Sequence, residues 1–265
     1  MPVQFSLTDA SSGDVIRSAS NRLVRYIRSL QRRSVRHEER AFVVEGDRAV
    51  RDALASGASP IVIALREAES FPNLEGGESA KVVAADIFQT LCDTVHPQGI
   101  VAVFPFPTHV FADVGTPLYV IADRIGDPGN LGTLLRSAAA AGVDSVFLSP
   151  GSVDHYNPKV VRAAMGAHFR IPIMPTSPEI VDRIAGQCEL RVLADLGDFA
   201  APDEVDWRAA ATLIVTSETA GPSEFAIGFA TRSVTIPMRS GMESLNAAVA
   251  GSVILFEAAR QRRTM

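Results

Sequence analysis

From Leu118 onward, short apolar runs at 118–122, 144–149, 170–174, 190–194, 212–216 and 232–236 alternate with stretches of helical periodicity. Strands separated by helix-length segments pair in parallel, because the crossover must carry the chain back along the sheet and its helix then covers a face. The expected class is α/β, with a parallel sheet covered on both sides. At 265 residues and 47% hydrophobic content the chain suffices for one large core or two modest ones. No apolar run reaches the roughly 18 residues that span a bilayer. The opening MPVQFSLTDASSGDVIRSAS has no basic region followed by an apolar segment. A cytoplasmic protein without a membrane partner is expected.

Upstream, residues 20–33 read as a helix with Leu23, Ile27 and Leu30 on one face and arginines around the rest. AFVVEGDRAVRDALASG then gives a strand, a turn and a helix ending at Gly57, and the runs at 61–65, 81–85 and 99–104 read as short buried strands. Asp86 is placed to cap the helix IFQTLC. Residues 105–117, with three prolines and little periodicity, suit a linker. The expected organisation is an N-terminal domain over 1–106, a linker over 107–116 and a C-terminal domain over 117–265.

Cys92 and Cys188 stand far apart without a CxxC or Cys/His pattern, and the five histidines form no i, i+4 pair. Neither a metal site nor a disulfide framework is expected. The net charge of −5 is unevenly spread: Arg17, 22, 25, 28, 32, 33, 36 and 40 face only Glu38 and Glu39, which leaves the rest of the chain at −11. Such a segment is the electrostatic footprint of a polyanion or a solvated helix face. Arginine outnumbers lysine 23 to 2, a preference that is chain-wide and not confined to this segment.

Residues 236–257, IPMRSGMESLNAAVAGSVILFE, run a strand end, a polar loop and an apolar helix together. That junction puts backbone groups and short polar side chains beside a ligand. Ser244 and Asn246 stand where the helix would start, and a capped C-terminal helix explains the stretch equally well on its own. Residues 123–142, DRIGDPGNLGTLLRSAAAAG, and 213–223, LIVTSETAGPS, repeat the strand-to-loop arrangement. Three such junctions point to one composite site at the strand ends. A dinucleotide-binding fold competes, but it needs GxGxxG after a strand, and DRIGDPGNLG has GxxGxxG spacing.

The trio NLGTLLR, then SETAG, then IPM followed by ESLN closely resembles, in order and spacing, the three motifs of the SpoU/TrmH branch of the SPOUT RNA methyltransferases. The resemblance runs from about Arg17 to Arg263. It implies methyl transfer from S-adenosylmethionine to a ribose 2′-hydroxyl in structured RNA, 23S ribosomal RNA before transfer RNA, by a homodimer. It also implies a C-terminal parallel-sheet domain with a deep trefoil knot and a small N-terminal α/β RNA-binding domain.

By motif position the resemblance implies that Arg136 works at the target ribose, often in the partner's site, with Asn130, Ser244 and Asn246 orienting the reacting groups. Glu218 would fix its loop by accepting backbone hydrogen bonds. Asn130 and Arg136, six apart, are expected to face the same cleft. The plainer alternatives are a helix N-cap for Asn130 and a surface ion pair for Arg136. Cofactor contacts are implied for Thr216, Ser217, Gly221, Ile236, Met238 and Leu245. Thr216 and Thr219 depart from the family, which usually has glycine there, and a Cβ narrows a backbone approach to ligand. RNA contacts are implied for Arg25, Arg28, Arg32, Arg33 and Arg36, and for Lys159 and Arg162 in NPKVVRAAMG, where a capped helix with two exposed cations reads equally well. An RNA-binding assembly factor that keeps the fold and lacks the cofactor is the competing function.

Overall fold

The computed structural model describes residues 15–108, 114–239 and 244–263; the first fourteen residues and the middle of the expected linker lie outside them. The chain divides into two compact units. The first takes the described residues up to Thr108 together with Tyr156–Phe169, and the second takes the remainder. The return of Tyr156–Phe169 to the first unit cuts into the continuous C-terminal domain expected from sequence.

In the first unit, β1 (Ala41–Glu45), β2 (Val62–Arg66), β3 (Lys81–Val83) and β4 (Ile100–Pro105) form a sheet of order β1-β4-β2-β3. β4 runs antiparallel to both neighbours and β3 parallel to β2. Strand alternation sends Phe42, Val44, Ile63, Ala102 and Phe104 to one face, under α3 (Asp47–Ala55) and the returned segment. There Phe106 stacks on Tyr156 at 3.7 Å and Phe42 on Phe169 at 5.6 Å, so the segment's aromatics complete this core. Ala41, Val43, Val62, Ala64, Val101 and Val103 face the other way. They lie under α1 (Arg22–Ser29) and α4 (Ala85–Gln89).

Three expectations change here. The helix over 20–33 is broken: α1 stops at Ser29, and α2 (Arg33–Glu39) starts after an extended Arg32. Arg36, expected at the RNA surface, is the reason. It is 2% exposed, and its Nη1 donates to the carbonyls of Leu30 (2.9 Å) and Gln31 (2.8 Å), which takes up orphan acceptors just past α1. A buried, doubly bonded guanidinium is a structural cap and not a phosphate contact. Asp86 sits within the first turn of α4, whose N-cap is Ala84, so it favours the helix dipole and does not cap it.

The second unit is a six-stranded sheet of order β10-β8-β9-β5-β6-β7, parallel throughout. Its elements are β5 (Leu118–Asp123), α5 (Pro128–Ala141), β6 (Ser145–Leu148), β7 (Ile173–Pro175), α7 (Pro178–Ala185), β8 (Leu190–Ala194), β9 (Ala211–Thr216), α8 (Glu224–Phe229), β10 (Arg232–Val234) and α9 (Ala247–Arg262). The run expected at 170–174 starts pairing late: Val146 N–H donates to the Pro172 carbonyl, and β7 follows. Ile121, Phe147, Leu193 and Ile214 meet α7 and α8 on one face.

On the other face α9 approaches so closely that a Cβ on Gly251 would lie 2.8 Å from Leu134 of α5 and 2.9 Å from Val215 of β9. A mid-helix glycine, unfavourable by about 1 kcal/mol in isolation, is therefore what lets α9 seat. At its far end Arg262 donates to the carbonyls of Trp207 (2.8 Å), Thr116 (2.8 Å) and Ala209 (2.6 Å), which fastens α9 to the segments leading into β5 and β9. α6 (Pro158–Ala164) belongs to the returned segment of the first unit.

Candidate active site

The chain leaves β5 toward β6 on one side of the sheet, whereas β9 is followed by β10 beyond β8 on the other. A crevice opens at the carboxyl ends of strands where their order reverses in this way. Asp123 pairs with Thr216 across that point, so the loops after β5 and β9 emerge side by side. Both were singled out from sequence as strand-to-loop junctions. The third, ahead of α9, lines a cavity of about 170 Å³ together with the loop after β9, while α5 and the loop after β5 stay outside its lining.

All six positions expected to hold a cofactor line this cavity: Thr216, Ser217, Gly221, Ile236, Met238 and Leu245. Val215, Ala247, Ala250 and Ile254 supply an apolar floor. The loop after β9 is a tight turn in which Gly221 N–H donates to the Ser217 carbonyl at 2.9 Å, with Gly221 at φ 64° where glycine is unstrained. Thr219, the second departure from the family pattern, does not line the cavity, and its hydroxyl shares a hydrogen bond with Ser217 Oγ at 3.2 Å. Thr216 does line it, as the last residue of β9.

Asn246 ties the site together. It is the N-cap of α9: Oδ1 accepts from the N–H groups of Ala248 (3.1 Å) and Val249 (3.2 Å), while Nδ2 donates to Asn130 Oδ1 at 2.8 Å. Glu218 accepts from Ala247 N–H, so its carboxylate holds the β9 loop to the start of α9, the brace expected of it. The negative group also sits favourably at a helix N-terminus. Ser244 lines the cavity two residues before the cap and is exposed.

Asn130 is not an N-cap. Asp127 caps α5, accepting from Asn130 N–H at 2.8 Å with Pro128 at the first helical position, and this frees the Asn130 side chain to meet Asn246.

Arg136 departs from expectation. It is exposed on α5 and does not line the cavity. Six residues turn an α-helix through about 600°, which leaves Arg136 about 120° around α5 from Asn130. The two do not share a cleft within one chain. Among the described residues Arg136 has no hydrogen-bond or ion-pair partner, so the surface ion pair is not realised either.

The end of β8 also contributes to the cavity, through Ala194, Asp195 and Leu196, which were not anticipated. The signal was present, since RVLADLGD is a fourth apolar run passing into a polar, glycine-containing turn.

In the first unit Arg25, Arg28, Arg32 and Arg33 are exposed. Of the second cluster, Lys159 is exposed on α6, whereas Arg162 is half-buried and ion-paired to Asp93 at 2.8 Å; Asn157 caps the helix by accepting from Lys159 N–H at 2.9 Å. That pairing sets Arg162 apart from the free cations around α1 and α2. Burial pushes the Cys92 thiol up to about 12 and raises that of Cys188, so neither is a nucleophile at neutral pH. Among the described residues no group of three or more His, Cys, Asp or Glu is placed to hold a metal ion, and no helix is long and apolar enough to cross a membrane.

The model of the SpoU rRNA Methylase family matches residues 117–256, and that of the MRM3-like substrate binding domain matches residues 21–102. The chain is 33% identical to rRNA methyltransferase 3A, mitochondrial, of Danio rerio, with 92% of this chain and 69% of that one covered. It is 32% identical to 23S rRNA (guanosine(2553)-2′-O)-methyltransferase RlmP of Bacillus subtilis (strain 168), over 91% of this chain and 97% of that one. Among solved structures, the AdoMet-bound rRNA methyltransferase from Sinorhizobium meliloti superposes with a TM-score of 0.80 at 29% identity, over 93% of this chain and 97% of that one.

Proposed function

The chain belongs to the SpoU rRNA methylase family, and from that premise we propose that its cavity holds S-adenosylmethionine and that its substrate is ribosomal RNA of the large subunit. It is an RNA ribose 2′-O-methyltransferase. The observation that carries the reading is the meeting of two strand-to-loop junctions, after β9 and ahead of α9, around one cavity, braced to each other by Glu218 with Ala247 and tied to the third junction by Asn130–Asn246. An apolar floor with Asp195 and Glu218 on its wall suits a cationic adenosine derivative.

When bound, S-adenosylmethionine supplies a methyl group already activated on a sulfonium. What is left to the chain is to hold the ribose oxygen in line, and orientation of this kind lowers a barrier by as much as about 7–11 kcal/mol. Asn246, fixed at both ends of its amide, and Ser244 line the approach. Arg136 does not act as a base, because a guanidinium stays protonated in proteins. It grips the target phosphate bidentately and stabilises the negative charge that develops on the ribose oxygen, while the proton passes to that phosphate or to water.

Arg136 points this reading to a homodimer. An arginine on the outer face of α5, away from its own cavity, is placed to serve a partner's. Val249, Val253 and Phe256, spaced i, i+4, i+7 on α9, are 44, 45 and 46% exposed and form an apolar stripe of the kind a two-fold contact covers. Ser252 of α9 donates to Ser137 Oγ of α5 at 2.6 Å, so this stripe and the residue next to Arg136 lie on adjoining helices. The same reading carries the family's trefoil knot; residues 240–243 lie outside the described residues. It places the RNA on the arginines of the first unit and the protein in the cytoplasm, and it invokes no metal.

Purified protein incubated with S-adenosylmethionine and ribosomal RNA should yield a single 2′-O-methyl position, mapped by resistance to alkaline cleavage. Arg136→Ala should lower turnover about 100-fold or more while cofactor affinity stays within about twofold, read by calorimetric titration. Near wild-type turnover in this variant would remove Arg136 from the chemistry.

A further inference from the structure

Asp123 ends β5 at 0% exposure, and Arg124 follows it at φ 55°. Neither lines the cavity. Between them they nevertheless bind one loop that does, the loop after β9. Asp123 Oδ1 accepts from the hydroxyls of Ser149 (2.9 Å) and Ser223 (3.0 Å), and Oδ2 accepts from Ser223 N–H (2.8 Å). Its carbonyl accepts from Ser217 N–H at 3.1 Å. A buried carboxylate is tolerated only when hydrogen bonds satisfy it, and here the donors come from the ends of two other loops, those after β6 and β9.

Arg124 reaches the same loop from outside. Its N–H donates to Ser149 Oγ at 2.9 Å, and Nη2 donates to the carbonyls of Gly221 (3.0 Å) and Ala220 (3.3 Å). The side-chain stem passes against Gly151, where a Cβ would sit 3.5 Å from Arg124 Cγ. A left-handed arginine persists only where its surroundings over-determine it, and the loops after β6 and β9 do so here.

We propose that Asp123 and Arg124 are positioning residues for the cofactor: together they lock residues 217–223 in the shape that presents Ser217 and Gly221 to the cavity. The inference rests on that cavity being the S-adenosylmethionine site. Asp123 fixes the two ends of the segment, at Ser217 N–H and at Ser223, while the Arg124 guanidinium holds the carbonyls on either side of the Ala220–Gly221 bond. Without the guanidinium those carbonyls are free to rotate, and Gly221, unrestrained by a Cβ, offers the turn other conformations. The consequence falls on cofactor affinity before it falls on chemistry.

Arg124→Gly is the cleanest test, because glycine adopts φ 55° without strain and the backbone is preserved. Titration of the full chain with S-adenosylmethionine should show affinity weakened about tenfold, equivalent to about 1.4 kcal/mol. KM for the cofactor should rise by the same factor, kcat should fall by less than about threefold, and the thermal midpoint should not drop. Arg124→Lys, which restores one donor to the two carbonyls, should bind within about threefold of wild type. Affinity of the glycine variant within about twofold of wild type would overturn the proposal, as would a loss confined to kcat or a lysine variant no better than glycine. A wild-type protein that binds no S-adenosylmethionine would instead bring down the cofactor reading on which the proposal stands.

Discussion

Asn246 shows how much one amide can carry. Its oxygen caps α9 and its nitrogen reaches Asn130, so the start of the last helix and the start of α5 are fixed by the two ends of one side chain. Asn246→Ala should therefore cost about 1–2 kcal/mol of stability through the lost cap, read in a denaturant series. It should also reduce turnover more than cofactor affinity. A variant as stable as wild type would show that Glu218 alone secures the helix start. Part of this was legible in the sequence, since an asparagine between a polar loop and an apolar run is a cap signal. Which polar residue caps α5 is legible only from its neighbour. Asp127 and Asn130 both suit that position by type, and Pro128 decides in favour of Asp127 because proline belongs at the first helical position. Asp123 was missed for a related reason. An acid at a strand end reads as a turn residue, and its burial comes from loops contributed 26 and 100 residues later in the chain.

At the scale of elements, periodicity found every strand of both sheets but misjudged boundaries wherever a side chain intervenes in the backbone bonding. The arginine-rich segment is the clearest case. Leu23, Ile27 and Leu30 continue in helical register past the point where the helix stops, where the guanidinium of Arg36 takes up the carbonyls of Leu30 and Gln31. Once Arg36 is assigned to the core, Arg25, Arg28, Arg32 and Arg33 remain as exposed cations on two short helices. Replacing those four together by alanine should leave thermal unfolding nearly unchanged, because none of them supports the fold. RNA affinity should weaken, and the slope of its logarithm against the logarithm of salt should fall by up to about 3 units if each contacts a phosphate. An unchanged affinity and slope would make the segment a solvated face. Arg36→Ala should do the reverse, destabilising the first unit through exposed carbonyls and a cavity.

For the whole molecule, the parallel sheet and its site at the strand ends follow from the alternation of strands and helices, whereas the proposed sharing of one site between two chains does not. The helical period already turns Arg136 about 120° around α5 from Asn130, but no periodicity records that Arg136 stands outside the lining of its own cavity. If the arginine serves the neighbouring chain, neither Arg136→Ala nor Asn246→Ala homodimers should be active, while a heterodimer of the two has one site with both residues intact and one with neither. Random mixing puts half of the molecules in that form, each with one of two sites working, so an equimolar mixture should recover about one quarter of wild-type activity under two-fold symmetry. If both residues act within one chain, mixing restores nothing, because every site lacks one of them. Val253→Asp provides the complementary reading: a charge in the exposed stripe of α9 should shift the protein to monomer in sedimentation and abolish turnover, although Val253 touches neither the cavity nor its tethers. Full activity from that monomer at assay concentration would mean that Arg136 acts on RNA from its own chain.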